Sequence, residues 1–165
     1  MFDPLQPFDQ QPHTERMGDN ESTTILAELH YADPERALDW LSRAFGFEPD
    51  LVVKNEDGKI VFARTGYGPV QVAILPEHPP RMRSPLATGG IATQSVQVRI
   101  TDDIDAHFAR ARTAGAEALS EPQNFFFGDR AYLVADLEGH VWNFGQRKTD
   151  EQAPPPAGWN VELGH

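Results

Sequence analysis

Residues 24–46 read TILAELHYADPERALDWLSRAFG, and residues 93–115 read TQSVQVRITDDIDAHFARARTAG. Each stretch opens with an alternating run. In the first, Ala27, Leu29 and Tyr31 share one parity and Leu26, Glu28 and His30 the other. In the second, Val96, Val98 and Ile100 alternate with Ser95, Gln97 and Arg99. Side chains on a strand point to opposite faces in turn, so each run reads as a strand with one face buried. Both runs then give way to helical spacing. Asp33-Pro34 supplies a cap and a proline at the first helical position, and Ala37, Leu38, Leu41, Ala44 and Phe45 form an apolar stripe that stops at Gly46. In the second stretch Asp102 or Asp103 is the cap, Ile104, Phe108, Ala111 and Ala114 make the stripe, and Gly115 ends it.

The two halves continue alike. Phe47–Lys54, Lys59–Arg64 and Val70–Leu75 read as three strands, with turns at Asn55–Gly58 and Gly66–Pro69. In the second half Ala116–Ser120, Ala131–Ala135 and Val141–Gly145 are the candidate strands, with a turn at Asp136–Gly139. The offset is 69 residues from Gly46 to Gly115 and from Asp33 to Asp102, which pairs Leu26 with Ser95. An internal repeat of this kind outweighs any single motif. The expected fold is α+β: two βαβββ modules in tandem, with helices outside and curved mixed sheets around a shared cavity.

The domain is expected over residues 23–148, with module one at 23–75, a Pro- and Gly-rich linker at 76–90 and module two at 91–148. Residues 1–22, rich in Pro, Gln and Asp, read as a disordered arm. Residues 149–165 read as a Pro-rich tail, because Pro154-Pro155-Pro156 cannot join a helix or a central strand. Trp159 and Val161 in that tail are expected to dock on the body or on a partner subunit.

Fourteen Lys and Arg against 25 Asp and Glu leave a net charge of −11. That removes the basic footprint of a nucleic-acid binder. It favours solubility and, more weakly, a cationic ligand. The absence of cysteine excludes disulfides, thiolate metal sites and a Cys nucleophile, and fits a cytoplasmic protein. No apolar run approaches the roughly 18 residues of a membrane helix. The opening Met1-Phe2-Asp3-Pro4 lacks the basic start of a signal peptide.

The segment Asp129-Arg130-Ala131-Tyr132-Leu133-Val134-Ala135-Asp136-Leu137-Glu138-Gly139-His140-Val141-Trp142-Asn143-Phe144 resembles the G-x-R-x-Y-x-x-x-D-P-x-G-H-x-W-x-F ending of the glyoxalase/bleomycin-resistance/dioxygenase, or vicinal oxygen chelate, superfamily. Asp33–Leu41 through Phe45-Gly46-Phe47, and Asp103–His107 through Ala114-Gly115-Ala116, resemble its two helices. The resemblance spans about residues 24–147. It implies a glyoxalase-like fold and a homodimer, and it leaves the reaction open, since that superfamily holds isomerases, lyases, dioxygenases, transferases and drug-sequestering binders.

Metal-using members of the superfamily place His on the first strand of a module and Glu or His on the last. The matching positions here carry Leu26, Ser95, Asn143, and Gln71 or Ala73. These are apolar or weak neutral ligands, so no metal or other cofactor is expected. The alternative is a displaced Zn, Ni, Mn or Fe site that uses Glu28 and His30, which share one strand face. His140 is expected to satisfy turn backbone groups or pack beside the helix, and His107 to face outward or pack at a helix edge.

The cavity-facing candidates for ligand binding are Glu28, His30, Gln71, Ser95, Gln97, Arg99 and Asn143, with Phe126 from the Phe125-Phe126-Phe127 loop. That loop either walls a pocket or plugs the core under the sheet edge. Two functions follow. One is metal-free binding or sequestration of a small molecule. The other is an isomerase, lyase or dioxygenase that uses an atypical metal site or Glu28 or His30 as a general base.

Overall fold

The structure, a computed structural model, describes residues 24–162. The expected arm at 1–22 lies outside the described residues. Module one runs β1 (Ala27–Tyr31), α1 (Pro34–Phe45), β2 (Glu48–Lys54), β3 (Ile60–Tyr67) and β4 (Val70–Pro76). Module two runs β5 (Ser95–Arg99), α2 (Ile104–Thr113), β6 (Glu117–Ala118), β7 (Gln123–Asn124), β8 (Asp129–Ala135) and β9 (Val141–Arg147). Two mixed sheets result, in the orders β1-β4-β3-β2 and β5-β9-β8-β6, with β7 added beside β8. The fold is α+β, two βαβββ modules with a glyoxalase-like arrangement. The short β7 and the shrinking of the expected Ala116–Ser120 strand to two residues are the main departures in module two.

Local chemistry sets the helix starts. Asp33 accepts the Arg36 amide at 3.0 Å and Asp103 accepts the Ala106 amide at 2.8 Å, each satisfying an orphan donor of the first turn. The second cap is therefore Asp103, 70 residues after Asp33, while the strand faces keep the 69-residue offset. Asp102 instead accepts a short hydrogen bond from the Tyr67 hydroxyl.

One core serves both modules. Leu29, Tyr31, Val72 and Ile74 from the first sheet and Val98, Tyr132, Val134, Trp142 and Phe144 from the second are buried with the apolar faces of α1 and α2. The helices, expected on outer faces, also touch each other. Trp40 donates its indole N–H to the Ala114 carbonyl at 2.8 Å, and Arg110 donates to the Ala44 carbonyl at 3.3 Å. Phe45 packs on Trp142 and Phe144 with ring centres 5.5 and 4.7 Å apart. Such aromatic contacts remove large apolar areas from water and join the modules through one cluster.

His107 departs from expectation. It is 3% exposed, in the middle of this cluster. Its Nε2 donates to the Phe45 carbonyl at 3.1 Å, which leaves Nδ1 to accept the Tyr132 hydroxyl at 2.5 Å. A helix edge facing water becomes an interior face here because α1 of the other module lies over it.

The turn between β8 and β9 is a second junction. Asp136 accepts four hydrogen bonds, from the Tyr31 hydroxyl (2.6 Å), the Trp142 indole (3.0 Å) and the amides of Glu138 and His140 (both 3.0 Å). The Glu138 carboxylate takes the Ala32 and Asp33 amides at 2.7 and 3.0 Å, across the module boundary. His140 donates from Nε2 to the His30 carbonyl at 2.9 Å, so the backbone group it satisfies lies on β1 of the other module and not in its own turn. Gly139 sits at φ +88°, and a Cβ there would lie 3.1 Å from the Pro85 side chain. Only glycine meets both demands cheaply.

Candidate functional site

The sheet faces turned away from the core carry the polar side chains. Strand register settles which residues share them. In module one Glu28 pairs with Ala73 and His30 with Leu75, while Arg64 pairs with both Ala73 and Leu51. In module two Ser95 pairs with Val141, Gln97 with Asn143, and Leu133 with Asn143. Since Gln97 stands 69 residues after Glu28, the module-one counterpart of Asn143 is Ala73.

Three recesses open beside these strands, at the sheet ends and edges where both faces contribute. A groove of about 510 Å³ between β1–β4 and β5 has Leu26, Phe47, Val72 and Val98 as its apolar walls and Arg64, Gln71 and Gln97 among its polar ones. A cleft of about 520 Å³ lies between the edges of β1 and β5, lined by Glu28, Gln94, Ser95 and Gln97. A smaller cleft of about 120 Å³ on the second sheet is lined by Gln97, Ser120, Asn143 and Leu133, with Phe125 and Phe127 as its aromatic wall. Gln97 lines all three.

The structure thus brings Gln71 and Gln97 together in the groove, Glu28, Ser95 and Gln97 in the edge cleft, and Gln97 and Asn143 in the aromatic cleft. His30, Arg99 and Phe126 line none of these three. His30 donates from Nδ1 to the Pro76 carbonyl at 2.8 Å. Arg99 donates to the buried Asp129 carboxylate at 2.7 Å, beside Arg147 on the same carboxylate at 3.1 Å.

The loop 125–127 walls a cleft and does not plug the core. Phe125 and Phe127 are 36% and 38% exposed and stack at 5.3 Å with an interplanar angle of 16°. Phe126 turns the other way and meets Trp159 edge-on at 6.3 Å. The tail holds this loop. Gly128 gives its carbonyl to the amides of Lys148 and Thr149 at 3.0 and 3.2 Å, and the Ala153 amide donates to the Phe126 carbonyl at 2.8 Å. Arg147 donates to the Phe127 carbonyl at 2.7 Å. A Cβ on Gly128 would stand 2.3 Å from the Thr149 carbonyl oxygen, so the close approach of the tail needs glycine at φ +91°.

Sequence reasoning missed Arg64, Asp50, Ser120 and Asp129. Asp50 accepts from Arg64 Nε at 2.9 and 3.0 Å and from Gln71 Nε2 at 2.7 Å. The Arg64 guanidinium in turn holds the Asp50 carboxyl below its ordinary range. A signal for Arg64 was present: the alternation Ala63, Thr65, Tyr67 continues past the expected end of β3 and puts Arg64 in mid-strand on the open face.

The donor set does not fit a divalent metal. Leu26 and Ala73 offer no donor, and Gln71, Ser95 and Asn143 are weak neutral ligands. Among the described residues no three His, Asp or Glu side chains gather at one point where they could hold a metal ion. Glu28 lines the edge cleft, whereas His30 spends Nδ1 on backbone.

Comparison with known proteins matches residues 25–144 to the Glyoxalase/Bleomycin resistance protein/Dioxygenase superfamily. The chain belongs to that superfamily. TioX from Micromonospora sp. ML1 is 37% identical, with a TM-score of 0.62 over 76% of this chain and 99% of TioX. TnmS3, an antibiotic binding protein from Streptomyces sp. CB03234, shares 21% identity and a TM-score of 0.60 over 77% of this chain and 97% of its own. At that identity the likeness concerns the fold alone. An uncharacterized protein of Mycobacterium tuberculosis strain H37Rv is 29% identical over 140 residues, 82% of this chain and 81% of that protein. No described helix of this superfamily member is long and apolar enough to cross a membrane.

Proposed function

We infer that this superfamily member is a cytoplasmic protein that binds a small organic molecule of the antibiotic kind and holds it without turnover. The carrying observation is the convergence of three recesses on Gln97, with apolar walls, primary amides and a stacked Phe125–Phe127 pair and, among the described residues, no metal-binding donor set. Small-molecule sites are built this way: apolar surface supplies affinity and a few fixed polar groups set orientation. TnmS3, whose fold is shared, is an antibiotic binder, which supports the same use here.

A thermal-shift screen of small-molecule antibiotics, followed by recovery of the bound compound and its mass, tests the reading. A native-state ligand raises the melting temperature by mass action. The expected result is a saturable shift with the compound recovered unchanged. Replacing Gln97 by Ala is expected to weaken that ligand about tenfold, roughly 1.4 kcal/mol or one well-made hydrogen bond, while leaving the stability of the free protein within about 0.5 kcal/mol. A screen with no shift, or wild-type affinity in the Gln97 variant, would count against it.

One observation favours a metal-free enzyme as a second reading. The Glu28 carboxylate lines the edge cleft, where it could take a proton from a bound molecule. A bound compound recovered with altered mass, and left unaltered by the Glu28→Gln variant, would turn the assignment to this reading.

The reading includes a homodimer. Leu51 and Val53, on the open face of the first sheet, are each 41% exposed, and a second copy would cover such a face. Light scattering is expected to give twice the chain mass, and Leu51→Lys with Val53→Lys to give the single-chain mass. A wild-type protein that runs as a monomer at all concentrations would remove the dimer from the proposal.

A further inference from the structure

The groove between β1–β4 and β5 differs in charge from the chain around it. The protein carries an excess of 11 negative charges, yet of the 13 described residues that line this groove only Arg64 is charged, and none is acidic. Asp50 explains how the arginine is held. It lies behind the guanidinium and takes Nε through both carboxylate oxygens, and Gln71 donates to the same carboxylate. The two terminal NH₂ groups of Arg64 have no partner among the described residues. A guanidinium clipped at Nε presents its remaining donors as a planar fork, the geometry that matches a carboxylate, sulfonate or phosphate. Beside it Leu26, Phe47, Val72 and Val98 offer an apolar wall.

We propose that this groove takes an organic anion, with its apolar body along β1 and β5 and its anionic oxygens on the terminal NH₂ groups of Arg64. The proposal rests on the small-molecule-binding reading and narrows it to a class of ligand. It runs against the expectation from net charge, that an acidic chain favours cations. Among the described residues no acidic side chain lines this groove, and over such short distances the nearest fixed charge in its wall outweighs the screened remainder.

Two fluorogenic probes with one ring system separate the terms. 8-Anilinonaphthalene-1-sulfonate carries the anion, and N-phenyl-1-naphthylamine lacks it. Both would be titrated at about 0.15 M salt, where the Debye length is about 8 Å and long-range repulsion is damped. The wild-type chain is expected to bind both saturably. Arg64→Met should weaken the sulfonate about tenfold and leave the neutral probe within about twofold, at an unchanged melting temperature, because the side chain is partly exposed. Arg64→Lys should recover part of the loss, since it restores charge without the fork. Arg36→Met removes an equal charge from an exposed helix position and should leave both probes unaffected. Equal loss of both probes in Arg64→Met, no loss of either, or a matching loss in Arg36→Met would overturn the anion assignment while the binding reading stands. Saturable binding of neither probe would overturn both.

Discussion

Replacing Asp136 by Ala should cost at least about 4 kcal/mol of folding free energy. The carboxylate is buried and accepts from the Tyr31 hydroxyl, the Trp142 indole and two backbone amides, with donor–acceptor distances from 2.6 to 3.0 Å. Alanine would leave four buried donors without partners, and each carries a desolvation cost of about 1–3 kcal/mol. Relaxation and water entry recover some of this, so the low end of the sum is the expectation. Against a total stability of about 5–15 kcal/mol, that is enough to unfold a large share of the protein on mild heating. Asn at the same position keeps one oxygen acceptor and should cost about half as much. Burial, together with the charge of Asp136, also holds the Tyr31 phenol well above its ordinary range, so its hydroxyl stays a donor at every working pH. Urea denaturation of the three proteins is the measurement. A loss under about 1 kcal/mol in the Ala variant would show that the junction is wet and that its bonds exchange with water.

The second large effect concerns acid. Burial pushes the His107 imidazole down to about 4, with the backbone bond to Phe45 opposing that shift only in part. In the unfolded chain the same group titrates near 6.5. The folded state therefore binds fewer protons than the unfolded state between these values. The stability contributed by neutral His107 is fully present above about pH 6.5 and is lost as the pH falls through about 4. The difference of about 2.5 units corresponds to roughly 3 kcal/mol. Carboxylates with lowered values, such as Glu77 and Asp105, add their own acid sensitivity, so the comparison must be made between variants. His107→Gln is expected to be less stable at pH 7.5 and to have a flatter stability profile between pH 6.5 and 4. Parallel profiles for the two proteins would mean that His107 is already protonated, or already solvated, in the folded state.

Both predictions fall at the seam between the modules, and both bear on the site. The Asp136 turn positions β9, which carries Asn143, and Glu138 in that turn ties the start of α1 to module two. His107 joins the end of α1 to Tyr132 on β8. Loosening either would let β1 shift against β5, and the groove and the edge cleft both lie between those strands.

The amino-acid sequence by itself determined the repeat and hence the fold. Period-two alternation at 25–31 and 93–100 and the helical stripes after Asp33 and Asp103 are local signals, and each follows from side-chain geometry on a single element. The open-face parity of Glu28, Ser95, Gln97 and Asn143 was legible for the same reason. The neutral character of the metal positions was legible as well, because chemistry at a numbered position needs no coordinates.

What the tertiary structure decided depends on contacts between residues far apart in the chain. His107 looked like a surface histidine because nothing near it in sequence announces that Phe45, 62 positions away, will cover it. Asp50 and Arg64 sit on different strands, and only the bulged β2–β3 register brings them together as a clip in a groove that β5 completes. Phe125, Phe126 and Phe127 are equivalent in composition, yet the docking of the tail turns Phe126 toward Trp159 and leaves the other two on the cleft. Periodicity reports which face a side chain takes on its own element. Which element lies opposite that face is set by the packing of the whole core, and that packing is where the site of this protein is made.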